Sequence, residues 1–380
     1  MLEKMDNEQL FRLIKRSLWN IGTCEADWML YEELKRHAIA ALPAGILEQI
    51  KMTDELRQNW KMTIFQQIAY NINYRFFQAD LPVSVPYAIL KGTSAAKYYP
   101  HPEYRAMGDI DIITRKEDFT SACDSLLAAE FLECSDINNK RHRGFVKNGI
   151  VVEVHAHFAS LNDQRQAQYL DNLIIDNFTS SHELPDLVNG LVILEHIYQH
   201  LENGLGLRQI LDWMMFVDKC LPDEAWDAFY EHLQKTDLIK LAVVVTRMCE
   251  MYLGLSERRW CEEADRVLCD QLMDYVLICG NFGNKRTGDS NIVENVFVAA
   301  RTAPELFKLL QQRGLVNWGA ARKNKVLRGI AWLYQAGRYI IRGSFRENAL
   351  MNIKNEYMGA KKRNALLEAL EVKRSLKRKR

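Results

Sequence analysis

Apolar residues recur every three or four positions from the start of the chain, at Leu10, Leu13, Ile14 and Leu18 and again at Trp28, Met29, Tyr31 and Leu34. That period is helical. Leu42-Pro43-Ala44-Gly45 interrupts it, and a long helix is expected from Ile46 through Trp60, Ile64, Ile68 and Ile72. Pro82 and Pro86 close this helical layer, because proline cannot continue a helix. The rhythm then changes. Short apolar runs at Tyr87–Leu90, Ile110–Ile113, Phe131–Cys134, Gly144–Val146 and Ile150–His155 alternate with turn signals and predict strands. Asn148-Gly149 between two such runs favours a hairpin. Phe119–Ala129 carries helical spacing between the strands. From about Leu184 the pattern is helical again, with helices expected near 223–235, 237–253, 257–279, 292–313 and 318–342 and a last one from Phe345. The chain therefore reads as α+β: an N-terminal helical layer over 1–80, a core with a mixed sheet over 81–180, and a larger all-helical region over 181–380.

Composition narrows the class without naming a chemistry. Of 380 residues, 48% are hydrophobic and 26% charged, as in an ordinary globular protein. The net charge of +1 argues against a nucleic-acid partner, since no global field draws in polyanions. The eight cysteines form no Cys-x-x-Cys pair and the N-terminus carries no secretory pattern, so reduced thiols and a cytoplasmic location are expected. No apolar run approaches the roughly 18–20 residues of a membrane-spanning helix, and no membrane partner is expected. Lys373–Arg380 forms a basic end, expected to be a solvated tail.

The chemistry concentrates in Gly108-Asp109-Ile110-Asp111-Ile112-Ile113. On a strand Asp109 and Asp111 share one face while Ile110 and Ile112 enter the core. Neighbouring carboxylates repel and lose solvation, so the pair calls for a counter-charge, and a hard divalent cation such as Mg²⁺ suits oxygen ligands. Upstream, Lys91-Gly92-Thr93-Ser94 follows the first strand and opens a short helix, where backbone N–H groups and hydroxyls can meet phosphate. Lys91 and Arg105 are natural cationic partners for a triphosphate; an ion pair with the aspartates is the other reading of Arg105. On the last strand alternation puts Val151 and Glu153 on one face and Val152 and Val154 on the other. His155 and His157 lack the companions of a zinc site, so His155 is expected to support Glu153 or the core. Glu195-His196-Ile197-Tyr198-Gln199-His200 has its Glu before the first His, which is the wrong order for a zinc protease. Tyr98 and Tyr99 are expected to pack in the core rather than stack on a base.

A Gly-small turn followed by an Asp-x-Asp strand resembles the nucleotidyltransferase fold, the superfamily of DNA polymerase β and kanamycin nucleotidyltransferase. Leu-Lys-Gly, Tyr-Tyr, an Arg before Gly-Asp-Ile-Asp, then Val-Glu-Val-His and Gly-Leu-Arg-Gln-x-x-Asp-Trp are similar to a bacterial family known as uncharacterised nucleotidyltransferase. The resemblance covers Tyr87 to Trp213. It implies an Mg²⁺- or Mn²⁺-dependent enzyme that moves a nucleoside monophosphate from an NTP, with ATP the default donor, to an unidentified small-molecule or macromolecular acceptor. It implies that Asp109, Asp111 and Glu153 hold two metal ions and that Glu153 can serve as base. Phosphate falls to Gly92 with Thr93 or Ser94. By the same resemblance His196, His200 and the segment Gly206–Trp213 line the cleft opposite the sheet, which places Arg208 among the nucleotide-binding residues; an Arg208–Asp212 ion pair along the helix is the alternative. Two other readings stand beside this one: a nucleotide-binding scaffold without turnover, and a toxin- or regulator-like enzyme acting on a protein or tRNA.

Overall fold

The computed structural model describes residues 7–135, 141–201, 204–281, 302–344 and 349–372. It divides into two compact units, Met1–Asn284 and Lys285–Arg380.

In the first unit five strands form one mixed sheet in the order β1-β2-β5-β4-β3. They are β1 (Tyr87–Leu90), β2 (Ile110–Thr114), β3 (Leu132–Glu133), β4 (His142–Lys147) and β5 (Ile150–His155). β1 runs antiparallel to β2, β2 parallel to β5, and β4 antiparallel to both β5 and β3. The β4–β5 hairpin closes on Asn148 and Gly149 with φ of 53° and 76°, the left-handed pair that a two-residue turn requires. One face of the sheet is apolar: Ile89, Ile110, Ile112, Phe145, Val152 and Val154 bury against α5 (Phe119–Ala128) and the end of α3. The residues between them in sequence, Asp111 and Glu153, therefore face the other way, as the alternation predicts.

The N-terminal helices are α1 (Asn7–Trp19), α2 (Trp28–Arg36) and α3 (Asp54–Ala79). The helix expected from Ile46 is two elements. A 3-10 turn spans Ala44–Gln49, and α3 begins only after Thr53, whose hydroxyl accepts from the Leu56 N–H at 3.3 Å while Asp54 and Glu55 occupy the first turn. A polar cap with acidic first-turn residues outcompetes continuation of the apolar pattern.

After α4 (Gly92–Ala96), α5 and α6 (Gln164–Asp176), α7 (Asp186–Leu201) and α8 (Leu207–Cys220) form an antiparallel pair buried almost all round, as their dense apolar sequences require. They approach closely at Gly190, where a Cβ would lie 2.1 Å from the Phe216 ring. Trp213 of α8 donates to Thr246 Oγ1 of α10 (Ile239–Leu253) at 2.9 Å, and His37 Nδ1 accepts from Leu207 N–H at 3.2 Å at the start of α8. α9 (Trp226–Thr236) and α11 (Arg266–Cys279) complete the unit; α11 starts well after the expected 257 because Asp265 caps it.

The second unit contains helices Ala303–Asn317, Gly319–Lys323, Lys325–Gly329, Ala331–Ser344 and Ala349–Ala369. The single helix expected over 318–342 is broken at Asn324, whose side chain accepts from the N–H groups of Val326 and Leu327. Residues 292–301, 345–348 and the basic end 373–380 lie outside the described residues. No helix among the described residues is long and apolar enough to cross a membrane.

Candidate active site

The parallel β2–β5 pairing sets Asp111 opposite Glu153, and the antiparallel β1–β2 pairing sets Leu90, the last residue of β1, opposite Asp111. Lys91 follows Leu90 directly, so its ammonium reaches Asp111 Oδ1 at 2.8 Å. His155, two residues after Glu153 and on the same face, places Nε2 2.8 Å from that oxygen and 3.5 Å from Glu153 Oε2. Donor atoms of Asp111, Glu153 and His155 all lie within 4.8 Å of one another. Asp111 is buried to 2% exposure, while the Glu153 side chain keeps 31%. Burial works against the Asp111 charge, but Lys91 and His155 outweigh it and hold the carboxyl below its ordinary pKa. Glu153 moves the other way: burial and the nearby Asp111 charge raise it.

Asp109 sits one residue before β2 and outside that three-residue cluster, yet close enough for the Asp111 charge to be the main cause of its raised pKa, with burial second. Its segment is clamped from α3. Asn71, buried to 1%, donates to Glu103 O at 2.8 Å and Arg105 O at 2.9 Å and accepts from Met107 N–H at 3.3 Å. Tyr70 donates to Gly108 O at 3.2 Å and Tyr74 to Asp109 O at 3.0 Å. Gly92 (φ +43°) packs on the same tyrosine, where a Cβ would meet Tyr74 Oη at 2.7 Å.

Two carboxylates and an imidazole with a third carboxylate adjacent suit a divalent cation in the chemistry of their donors. The family described as uncharacterised nucleotidyltransferase matches residues 27–254, more than half of the chain and the whole of this constellation. The chain belongs to that family. Neither the curated proteins nor the solved structures include a match to it.

The remaining residues expected at the site are distributed unevenly around the cluster. Ser94 is buried and its hydroxyl donates to Ile89 O at 3.0 Å. Thr93 exchanges hydrogen bonds with the Gln78 amide at 2.9 and 3.0 Å and is only half-buried. Arg105 pairs with neither aspartate of the strand. Its guanidinium grips Asp212 through Nε–Oδ1 at 3.0 Å and Nη2–Oδ2 at 2.6 Å, and Tyr99 donates to the same carboxylate at 2.9 Å. Asp212 is thereby engaged by Arg105, and Arg208, one turn earlier on α8, donates instead to Ala106 O at 3.2 Å. Arg208 Nη1 comes within 3.9 Å of where a Gly108 Cβ would stand, beside Asp109. Burial first, and the Arg105 charge second, lower the Arg208 pKa to about 10. Tyr98 and Tyr99 are both buried, as expected of core residues.

Helix α7 carries a histidine pair. His196 and His200 are linked Nε2 to Nε2 at 2.9 Å. Burial holds His196 well below its ordinary pKa and His200 down at about 4; Lys91 and Arg208 act on both in the same direction, so this helix face belongs to the same cationic surroundings. Glu195 is fully buried. It accepts from Ser160 N–H at 2.5 Å and from Gln199, and fixes the loop that follows β5. Sequence reasoning assigned Glu195, Asn71 and Tyr74 no role. Their signals were present: a lone carboxylate inside the apolar run Leu191–Ile197, and a polar stripe Gln67, Asn71, Tyr74, Gln78 along α3.

Proposed function

We propose that this chain transfers a nucleoside monophosphate from an NTP, with ATP the default donor, to a hydroxyl-bearing acceptor. The observation that carries the reading is the register of β2 on β5, which sets Asp111 against Glu153 with Lys91 on the same carboxylate. Asp109, Asp111 and Glu153 would hold Mg²⁺ or Mn²⁺, which neutralises triphosphate charge and activates the acceptor oxygen. His155 would hold Asp111 in place through its 2.8 Å contact. Glu153, half-exposed and with a raised pKa, is the base that takes the acceptor proton. The acceptor oxygen bonds to the α-phosphorus, the bond from that phosphorus to the bridging oxygen breaks, and pyrophosphate leaves. Arg208, a buried cation whose charge together with that of Lys91 acts on Asp109, would meet the triphosphate, with Gly92 and Thr93 at the mouth of α4. Arg105 would act indirectly, by fixing α8 to the loop before β2.

Calorimetry with ATP, GTP, CTP and UTP in Mg²⁺ tests this on the intact chain and on Asp109→Asn/Asp111→Asn. Mg²⁺-dependent binding of one triphosphate, absent in the double variant, is expected. Binding of none, or binding indifferent to the substitutions, would remove the reading.

A further inference from the structure

The near-zero net charge of the whole chain conceals a separation. Residues 285–380 hold 22 Lys and Arg against seven Asp and Glu, a net +15, which leaves −14 for residues 1–284. Within the second unit the imbalance sharpens: residues 306–346 carry nine Lys and Arg and no Asp or Glu at all. Between Val316 and Leu333 exposed basic and exposed apolar side chains alternate along the chain. Arg322, Lys325 and Arg328 are exposed on the two short helices Gly319–Lys323 and Lys325–Gly329. The arginines are held in place, Arg322 donating to Val316 O at 3.2 Å and Arg328 to Arg322 O at 3.0 Å. On the same stretch of chain Val316, Val326 and Leu333 are 70%, 77% and 50% exposed. The Trp318 and Tyr334 rings stack at 4.8 Å in the same stretch, and Tyr334 is exposed.

Each half of this pattern alone has an ordinary meaning. A purely basic surface serves any polyanion, and scattered exposed aliphatic residues are common. Together they select a partner that is anionic at its surface and apolar just beneath. The absence of an apolar run long enough to span a membrane bears on crossing and not on surface binding. Against the expectation of no membrane partner, we propose that the 285–380 unit binds the surface of an anionic lipid bilayer, with Arg322, Lys325 and Arg328 at the headgroups and Val326 and Leu333 in the interfacial zone. Nucleic acid satisfies the charge but offers nothing to Val326 or Leu333. The inference is independent of the transfer reaction proposed above.

The test is co-sedimentation of the full chain with vesicles, either of phosphatidylcholine alone or rich in phosphatidylglycerol. Binding only to the anionic vesicles is expected, reduced more than about tenfold by Arg322→Glu/Lys325→Glu/Arg328→Glu. Val326→Ser/Leu333→Ser should also weaken it, most visibly at high salt, where the electrostatic share is screened. Absence of binding to anionic vesicles would overturn the proposal. So would binding that ignores Val326→Ser/Leu333→Ser and is displaced by single-stranded RNA, which would identify a general polyanion surface. Thermal melting of each variant, with the conservative serine pair as the second arm, separates lost contact from lost fold.

Discussion

Arg105 offers the sharpest test, because sequence and structure assign it different work. Read along the chain it is a cation beside a metal-binding strand; in the fold it is one half of a buried pair with Asp212, both side chains 3% exposed. Asp212→Asn keeps the shape and removes the charge. It leaves the Arg105 guanidinium buried without its counter-ion, and because an amide nitrogen cannot accept, either the 2.6 Å bond at Oδ2 or the 3.0 and 2.9 Å bonds at Oδ1 from Arg105 and Tyr99 are lost. Breaking one side of such a pair costs about 3–5 kcal/mol. With a urea dependence of about 3 kcal/mol per molar, the midpoint of unfolding should fall by more than about 1 M. Tryptophan fluorescence suits the measurement, since Trp213 adjoins Asp212. Arg105→Met with Asp212→Leu and Tyr99→Phe should recover most of the loss, because replacing all the buried polar partners by apolar groups is often near neutral. The reasoning fails if Asp212→Asn costs less than about 1 kcal/mol, a value typical of an exposed pair. Arg105 would then have to be a ligand-binding cation after all, and Arg105→Met should abolish nucleotide affinity without touching stability.

Three further outcomes follow from the same geometry. Burial raises Glu195 from 4.5 to about 8, outweighing the N–H groups of Ser160 and Gln199 that favour its charged form; the folded chain thus keeps a proton that the unfolded chain has lost. Its stabilising contribution is complete below the unfolded value and disappears as pH rises to about 8, so urea midpoints should fall across that window and Glu195→Gln should flatten the fall. Asn71→Ala removes three main-chain hydrogen bonds from the segment before Asp109, which should lower stability by about 2–3 kcal/mol and weaken Mg²⁺-dependent nucleotide binding; unchanged nucleotide binding in a destabilised variant would reduce Asn71 to a packing residue. Asp109 and Glu153 both have raised pKa values and must be deprotonated to hold a cation, so Mn²⁺ affinity by calorimetry should climb with pH, with protons released on binding; a flat profile would exclude them as ligands.

Much of the fold was local enough to read. The alternation in Ile110–Thr114 and Ile150–His155 separates apolar from carboxylate faces because a strand has a period of two, and the Asn148-Gly149 turn follows from backbone sterics alone. The candidate carboxylates Asp109, Asp111 and Glu153 were visible for the same reason, helped by a resemblance that spans the motifs around them. What sequence could not supply was partnership across distance. Lys91 meets Asp111 only because β1 lies antiparallel on β2, and His155 joins the cluster only because β5 lies parallel on it. Arg105 finds Asp212 more than a hundred residues away. Element boundaries at Thr53 and Asn324 went unread for a smaller cause: one capping side chain outweighed an apolar period that ran past it. Local periodicity is written in neighbouring side chains, so the chain alone determined which faces are apolar and which residues carry charge. Which charge neutralises which is decided by desolvation in the packed interior, and that exists only once strands and helices from distant parts of the chain have come together.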